Sequence, residues 1–237
     1  MLVTEGRVVM ISGANRGIGR AIAERLYEDG YSLSLGARDP ATLSALDGGA
    51  EERVMNHAFD ATVPDSAARW AAATRERFGR VDAIINNAGI INSFEIESDD
   101  ETGLDEMWEV NVKGPLRLVR AAYADLKRCG AGRVINIVSL SGKRVKSAGI
   151  GGYAMSKHAT AAFNHALRHA GWKHGIRATS ICPGYVATDM TATVQAIPAS
   201  DMIQPAAIAH LVASLLVLPN TASVSELPVN CVLESLY

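Results

Sequence analysis

The chain alternates short, unbroken apolar runs with longer segments whose apolar positions recur at helical spacing. Val8-Val9-Met10-Ile11 is the first run, and it ends in Ser12-Gly13. A run without polar alternation suits a strand buried on both faces, as in a parallel sheet. Ile18, Ala21, Ile22 and Leu26 then follow with helical period. Gly30 predicts the stop of that helix, and Ser32-Leu33-Ser34-Leu35 resumes a strand. Further strands are predicted at Val54 to Phe59, Val81 to Ile85, Arg133 to Val138, Ile176 to Ile181 and Val229 to Leu233. Helices are predicted over residues 64–78, 104–128, from near Tyr153 to about Lys173, and from Ala206 to Leu218. Seven strands with intervening helices imply an α/β fold with a parallel, doubly wound, seven-stranded sheet. No repeat, low-complexity segment or linker interrupts the pattern, so residues 1–237 read as a single domain.

In such a sheet, ligands bind beyond the carboxyl ends of the strands, near the point where strand order reverses. Gly13, Asn86, Ser139 and Pro183 each follow a predicted strand, so they are expected on one edge. Composition narrows the function classes. A formal net charge of -2 argues against a general nucleic-acid binder, which is usually strongly basic. No apolar run reaches bilayer length. The first residues lack the basic-then-apolar order of a signal peptide. Cys129, Cys182 and Cys231 lie far apart without a CxxC, which predicts reduced thiols, no metal site and a cytoplasmic protein.

Gly13-Ala14-Asn15-Arg16-Gly17-Ile18-Gly19 joins the first strand to the first helix. Glycines let the backbone approach a pyrophosphate, and the helix N-terminus favours negative charge there. The spacing G-x3-G-x-G differs from the general dinucleotide spacing, and a tight turn that needs glycine is the plain alternative. The strand before it and the helix after it favour nucleotide binding. After the second strand the chain reads Gly36-Ala37-Arg38-Asp39. An NAD enzyme usually carries an acid in this region to bond the ribose 2′-hydroxyl. Arg38 instead suits a 2′-phosphate, with Arg16 as a second cation. Both arginines could equally be solvated surface charges. Asp39 either points to solvent or neutralises Arg38 and permits NAD(H), so NADP(H) is the expected cofactor and NAD(H) the lesser candidate. Asp60, with Ala61 beside it, follows the third strand, where its carboxylate could accept from an adenine amine or serve a turn.

Tyr153-Ala154-Met155-Ser156-Lys157 places a phenol and an ammonium on one helical face, at i and i+4. A nearby ammonium stabilises phenolate and lowers a pKa that is otherwise about 10. That would make Tyr153 a proton donor and acceptor near neutral pH. Y-x-x-x-K also arises from a surface lysine beside a half-exposed aromatic. Ser139 ends the fifth strand and is preferred over Ser141 for holding a substrate carbonyl, although it could simply cap the strand end. Asn111 lies four residues before Pro115, which has no N–H for the carbonyl of residue 111. The helix should kink there and free that carbonyl for a water that passes protons towards Lys157. Otherwise a new helix begins near Gly114-Pro115. Lys143, Arg144 and Lys146 read as a solvated loop, with attraction of an acidic substrate the lesser reading. Residues 190–205 are expected to cover the substrate. Within them Met190, Val194, Ile197, Met202 and Ile203 suggest an apolar lid or a subunit contact.

Taken together, these residues resemble the short-chain dehydrogenase/reductase (SDR) family over nearly the whole length. The shared elements are Gly13-x3-Gly17-x-Gly19, Asp60, Asn86-Asn87-Ala88-Gly89, Asn111, Ser139, Tyr153-x3-Lys157 and Pro183-Gly184. The resemblance implies a Rossmann fold and a catalytic tetrad of Asn111, Ser139, Tyr153 and Lys157. In that pattern Tyr153 exchanges a proton with the substrate oxygen and Ser139 positions the carbonyl. Lys157 also holds the nicotinamide ribose, and Asn111 completes a water relay. Asn87, Ala88 and Gly89 would line the adenosine ribose, while Asn86 supports the sheet. Ile18 would lie against the pyrophosphate, and Val186 and Thr188 against the carboxamide. The arginine pair resembles that of NADP-preferring members. The substrate would be a small carbonyl compound or alcohol, and the assembly a homotetramer or homodimer. The loop from Ser139 to Tyr153 is one residue longer than the family usually shows. Val224 to Val229 resembles the ending of NADP-dependent 3-hydroxy-acid reductases, which keeps a 3-oxoacyl thioester or 3-hydroxy acid as an alternative substrate. A non-catalytic NADP-binding sensor is the alternative of another class.

Overall fold

The computed structural model describes residues 1–43 and 51–234. Seven strands are present: β1 (Val8–Ser12), β2 (Ser32–Ala37), β3 (Val54–Ala58), β4 (Ala83–Asn86), β5 (Arg133–Ile137), β6 (Arg177–Pro183) and β7 (Glu226–Val229). They form one sheet in the order β3-β2-β1-β4-β5-β6-β7, with every pairing parallel. The doubly wound α/β fold is therefore as predicted. The helices are α1 (Gly17–Glu28), α2 (Ser66–Phe78), α3 (Thr102–Met107), α4 (Gly114–Arg128), α5 (Gly151–Gly171) and α6 (Pro205–Leu216).

Strand alternation sorts the apolar residues into two layers. Ile11, Leu33, Leu35, Ile85 and Ile181 face α1 and α6, meeting Ile22, Leu26, Ile208 and Val212. Met10, Ile84, Val134 and Ala178 face the other layer, meeting Trp70 of α2, Leu118 of α4 and Leu167 of α5. The central strands are buried on both sides, which is why β1 reads as an unbroken apolar run up to Ser12, while β4 and β5 are apolar except for the buried Asn86, Arg133 and Asn136. Chain order reverses beside β1: β2 and β3 extend one way, β4 to β7 the other. The loops after β1 and β4 therefore diverge around a crevice at the carboxyl edge.

Two elements depart from the sequence reading. The last strand is Glu226–Val229, a few residues earlier than predicted. It is a partly exposed edge strand, so Pro228 is tolerated within it. The predicted continuous helix 104–128 contains a π-helical segment over Trp108–Lys113, between α3 and α4. Pro115, two residues beyond its end, donates no N–H back to that segment, so the wider turn accommodates the gap. No helix among the described residues is long and apolar enough to cross a membrane.

Candidate active site

The loop after β1 is clamped to the loop after β4 by side chains. Ser12 Oγ accepts from the backbone N–H groups of Asn87 (3.0 Å) and Ala88 (3.1 Å). Asn87 Nδ2 donates back to the Ser12 and Gly13 carbonyls, at 3.0 Å each. Gly19 sits where α1 crosses this clamp. A Cβ there would lie 2.1 Å from the Gly13 carbonyl oxygen and 2.5 Å from Asn87 Nδ2. Gly17, at φ +55°, opens α1 and brings the loop against Thr188, whose Cγ2 would be 3.2 Å from a Cβ at 17. The N-terminus of α1 thus opens onto the crevice, with backbone dipoles suited to an anion.

The crevice is a cleft of about 680 Å³, within the range of small-molecule and cofactor sites. Gly13, Asn15, Arg16, Gly17 and Ile18 form one wall. Arg38, Asp60 and Ala61 line the end beyond β2 and β3, and Asn87, Ala88 and Gly89 the floor beyond β4. Ser139, Tyr153 and Lys157 line the cleft as well, with Pro183 at the end of β6 and Gly184, Val186 and Thr188 beyond it. The sequence also missed Ile90, Glu106 and Asp189, which line the same cleft, as does Thr191 of the expected covering segment. Gly19 and Asn111 are not among its lining residues. Gly19 is close-packed beneath the loop, and Asn111 is buried at 1% exposure.

At the end beyond β2, the Asp39 carboxylate accepts from Ala41 N at 2.9 Å and starts a short 3₁₀ turn. It does not neutralise Arg38, which is exposed and forms no ion pair among the described residues. Arg16 is engaged: its Nη1 lies 2.7 Å from Asp189 Oδ2. Asp60 accepts through Oδ1 from the N–H and hydroxyl of Thr62, so its carboxylate serves the turn while facing the cleft.

Elsewhere in the cleft, Lys157 Nζ donates to the Ile137 carbonyl at 3.0 Å and lies 5.6 Å from the centre of the Tyr153 ring. Ser139 Oγ accepts from Ser141 N at 3.0 Å. Ser139 lines the cleft, while Ser141 is buried in a 3₁₀ turn, so the geometry favours Ser139. The protonation pattern differs from the expected one. Burial pushes the Tyr153 phenol up to about 12, opposed by the Ser139 hydroxyl. Burial also brings the Lys157 ammonium down to about 8. Desolvation penalises both charged forms and outweighs the pairing that the i, i+4 spacing suggested.

Asn111 is a structural tie. Its Nδ2 donates to the Ile90 carbonyl (2.9 Å) and to Ser156 Oγ (3.0 Å), and its Oδ1 accepts from Ile90 N. Its backbone carbonyl is not free as expected: Thr160 Oγ1 donates to it at 2.8 Å. A second tie runs across the sheet from Asn86, the residue expected to support it, through partners the sequence did not name. Asn86 Nδ2 donates to Asn136 Oδ1, Asn136 Nδ2 to Asn164 Oδ1, and Asn164 Nδ2 to the Ser225 carbonyl. These buried amides satisfy one another and hold β4, β5, α5 and the approach to β7 in register.

The basic loop is corrected as well. Lys143 pairs with Glu226, and Arg144 and Lys146 pair with Glu234. These cations hold Glu234 down to about 2. The stretch 145–149 is exposed as expected, but the three cations are paired and form no free cationic patch. Of the stretch 190–205, Met190 and Thr191 line the cleft. Met202 and Ile203 are instead buried, and Val186 and Ile203 form a β-bridge.

The family model for short chain dehydrogenase matches residues 7–198. An agropine synthesis reductase of Rhizobium rhizogenes is 42% identical over 99% of this chain and 55% of its own length. The chain thus spans about half the length of that relative. Among solved structures, an alcohol dehydrogenase from the archaeon Thermococcus sibiricus, complexed with 5-hydroxy-NADP, superposes with a TM-score of 0.83. It is 33% identical, covering 94% of this chain and 95% of that one. A short chain dehydrogenase from Burkholderia cenocepacia in complex with NADP gives a TM-score of 0.88 at 26% identity, covering 97% and 98%. With its family model spanning β1 to the segment beyond β6, the chain belongs to the short-chain dehydrogenase family.

Proposed function

We propose that the chain is an NADP(H)-dependent reductase of a small carbonyl compound, reversible towards the alcohol, with Tyr153 as general acid and base. The observation that carries this is the meeting of Ser139, Tyr153 and Lys157 with the glycine loop in one cleft. The residues fit a dinucleotide. Glycine at 17 lets the loop run close against Thr188 at the cleft wall, and glycine at 19 lets α1 pack beneath that loop. The α1 N-terminus suits the pyrophosphate, and Arg38, without an ion pair among the described residues, suits a 2′-phosphate. NADP and 5-hydroxy-NADP in the structural neighbours support the same cofactor. The reductase name of the agropine relative supports reduction as the working direction.

Nicotinamide, when bound, supplies the hydride. Ser139 Oγ donates to the carbonyl oxygen and holds it towards Tyr153. The Tyr153 hydroxyl gives its proton to that oxygen as negative charge develops there. Lys157 stabilises the resulting phenolate and would hold the nicotinamide ribose when the dinucleotide is bound. Asn111 keeps Ile90, and with it the strand-β4 loop, at its distance from Lys157. The test is consumption of NADPH and of NADH across a panel of ketones and aldehydes. Turnover favouring NADPH is expected, and a protein inert on the whole panel contradicts the reading.

The pH dependence has a defined sign. With a value of about 12, Tyr153 is protonated throughout the neutral range, as an acid must be. Lys157 is lowered from its ordinary value to about 8, so it is charged below that pH and neutral above it. Reduction should therefore decline as pH rises through about 8, when phenolate loses its stabilising charge. A kcat/KM profile that stays flat well above that point contradicts this assignment of Lys157.

A further inference from the structure

The Arg16–Asp189 pair joins two loops that meet over the cleft. Arg16 belongs to the glycine loop, and Asp189 follows β6, at the start of the segment that borders the substrate end. Both side chains line the cleft and both are about 70% exposed, at 69% and 72%. The segment that carries Asp189 is well defined at its ends. Thr188 and Thr191 form a capping box. Ala187 N donates to the Ile203 carbonyl, and Ile203 N to the Tyr185 carbonyl. Its start is pressed against the glycine loop, where Thr188 meets Gly17. Between these anchors, Arg16–Asp189 is the ion pair that, among the described residues, ties the segment across the cleft.

We propose that Asp189 sets the dinucleotide selectivity by competing with the 2′-phosphate for Arg16, so that NADP(H), and not NAD(H), releases the segment from the glycine loop. This rests on the reading above that Arg16 and Arg38 face the 2′-phosphate. A phosphate has two ways to use Arg16. It displaces the Asp189 carboxylate, or it shares the guanidinium with it and meets a like charge. Either way Asp189 weakens binding of the phosphorylated dinucleotide. A 2′-hydroxyl carries no charge and makes no such demand, so NAD(H) leaves the pair intact. Arg38 bears no comparable ion pair among the described residues, where the Asp39 carboxylate accepts instead from Ala41 N. The two cations are therefore unequal: Arg38 is open to the phosphate, and Arg16 must first exchange partners.

The test is the affinity of wild type, Asp189→Asn, Arg16→Ala and Arg38→Ala for NADPH and for NADH, titrated by fluorescence. An exposed ion pair is weak, so Asp189→Asn should tighten NADPH about two- to fivefold and leave NADH unchanged. NADH is the internal control for damage to the turn. If both affinities change by one factor, or NADPH alone weakens, the proposal is overturned. Hydrogen exchange across residues 189–202 gives a second readout at matched saturation. Faster exchange with NADPH than with NADH is expected in wild type and should vanish in Asp189→Asn. Equal exchange with the two dinucleotides in wild type overturns the proposal. The arginine variants separate the two levels of argument. If neither weakens NADPH relative to NADH, the NADP reading itself fails. If both do, while Asp189→Asn gains nothing, the competition alone is wrong.

Discussion

Tyr153→Phe is expected to lower carbonyl reduction by about 10²- to 10⁴-fold, the usual worth of a positioned proton donor, with NADPH affinity nearly unchanged. The ring sits on α5, half-buried between the helix and the cleft, and phenylalanine preserves that packing. What disappears is one hydroxyl, on the same wall as the Ser139 hydroxyl and the Lys157 ammonium. The loss should fall on kcat, because the proton moves only as the hydride arrives and the ground state gains little from it. Steady-state rates and a parallel NADPH titration check this together. Equal kcat in the two proteins would remove Tyr153 from the chemistry.

Gly19→Ala is expected to damage the protein at the cofactor end without touching any catalytic side chain. The added methyl group would meet the Gly13 carbonyl oxygen at 2.1 Å and Asn87 Nδ2 at 2.5 Å. The first of these is backbone and cannot swing aside, so α1 must move away from the loop or the loop must lift. Both movements break the two Asn87 bonds that hold the Ser12 and Gly13 carbonyls. Overpacking of this kind costs about 1–3 kcal/mol, which a thermal or urea melt should register. The donors at the α1 N-terminus would lose their aim at the same time, and each 1.36 kcal/mol lost there is tenfold in affinity. NADPH binding should therefore weaken by roughly tenfold or more. Unchanged melting and unchanged NADPH affinity would contradict the close packing described here.

The parts of the fold that were legible share a physical cause. β1, β4 and β5 are buried on both faces, so selection favours apolar side chains throughout, broken at Asn86, Arg133 and Asn136. Parallel strands require crossovers, so their number and order class followed from the alternation with helices. β7 was misplaced because it is an edge strand with one side partly open, where Pro228 is admissible and the apolar signal is thin. The π-helical turn was missed because wide and normal turns carry the same residues. Pro115 marked the right place but not the form of the relaxation.

The site divides in a similar way. The glycine spacing and Tyr153-x3-Lys157 are local patterns, and a helix converts four residues of separation into one face. The sign of the Tyr153 shift was not local. It depends on how deeply α5 packs, which desolvates both groups. Asp189, the Thr160 bond to the Asn111 carbonyl, the asparagine tie and the pairing of Arg144 with Glu234 all join positions far apart in sequence. Such pairings leave no period to read. Asp189 did have a weak signal, since it follows Thr188 beyond β6, but nothing in the spacing pointed to Arg16.

The account stands on hydride and proton reaching one carbonyl from opposite walls of a single cleft. The measurement that meets this directly is reduction, by wild type, of the best ketone from the panel with NADPH deuterated on the transferred face of C4. Recovery of the alcohol with deuterium on its new carbinol carbon, and its loss in Tyr153→Phe, is the predicted result. NADPH oxidation that leaves no deuterium on that carbon would contradict it.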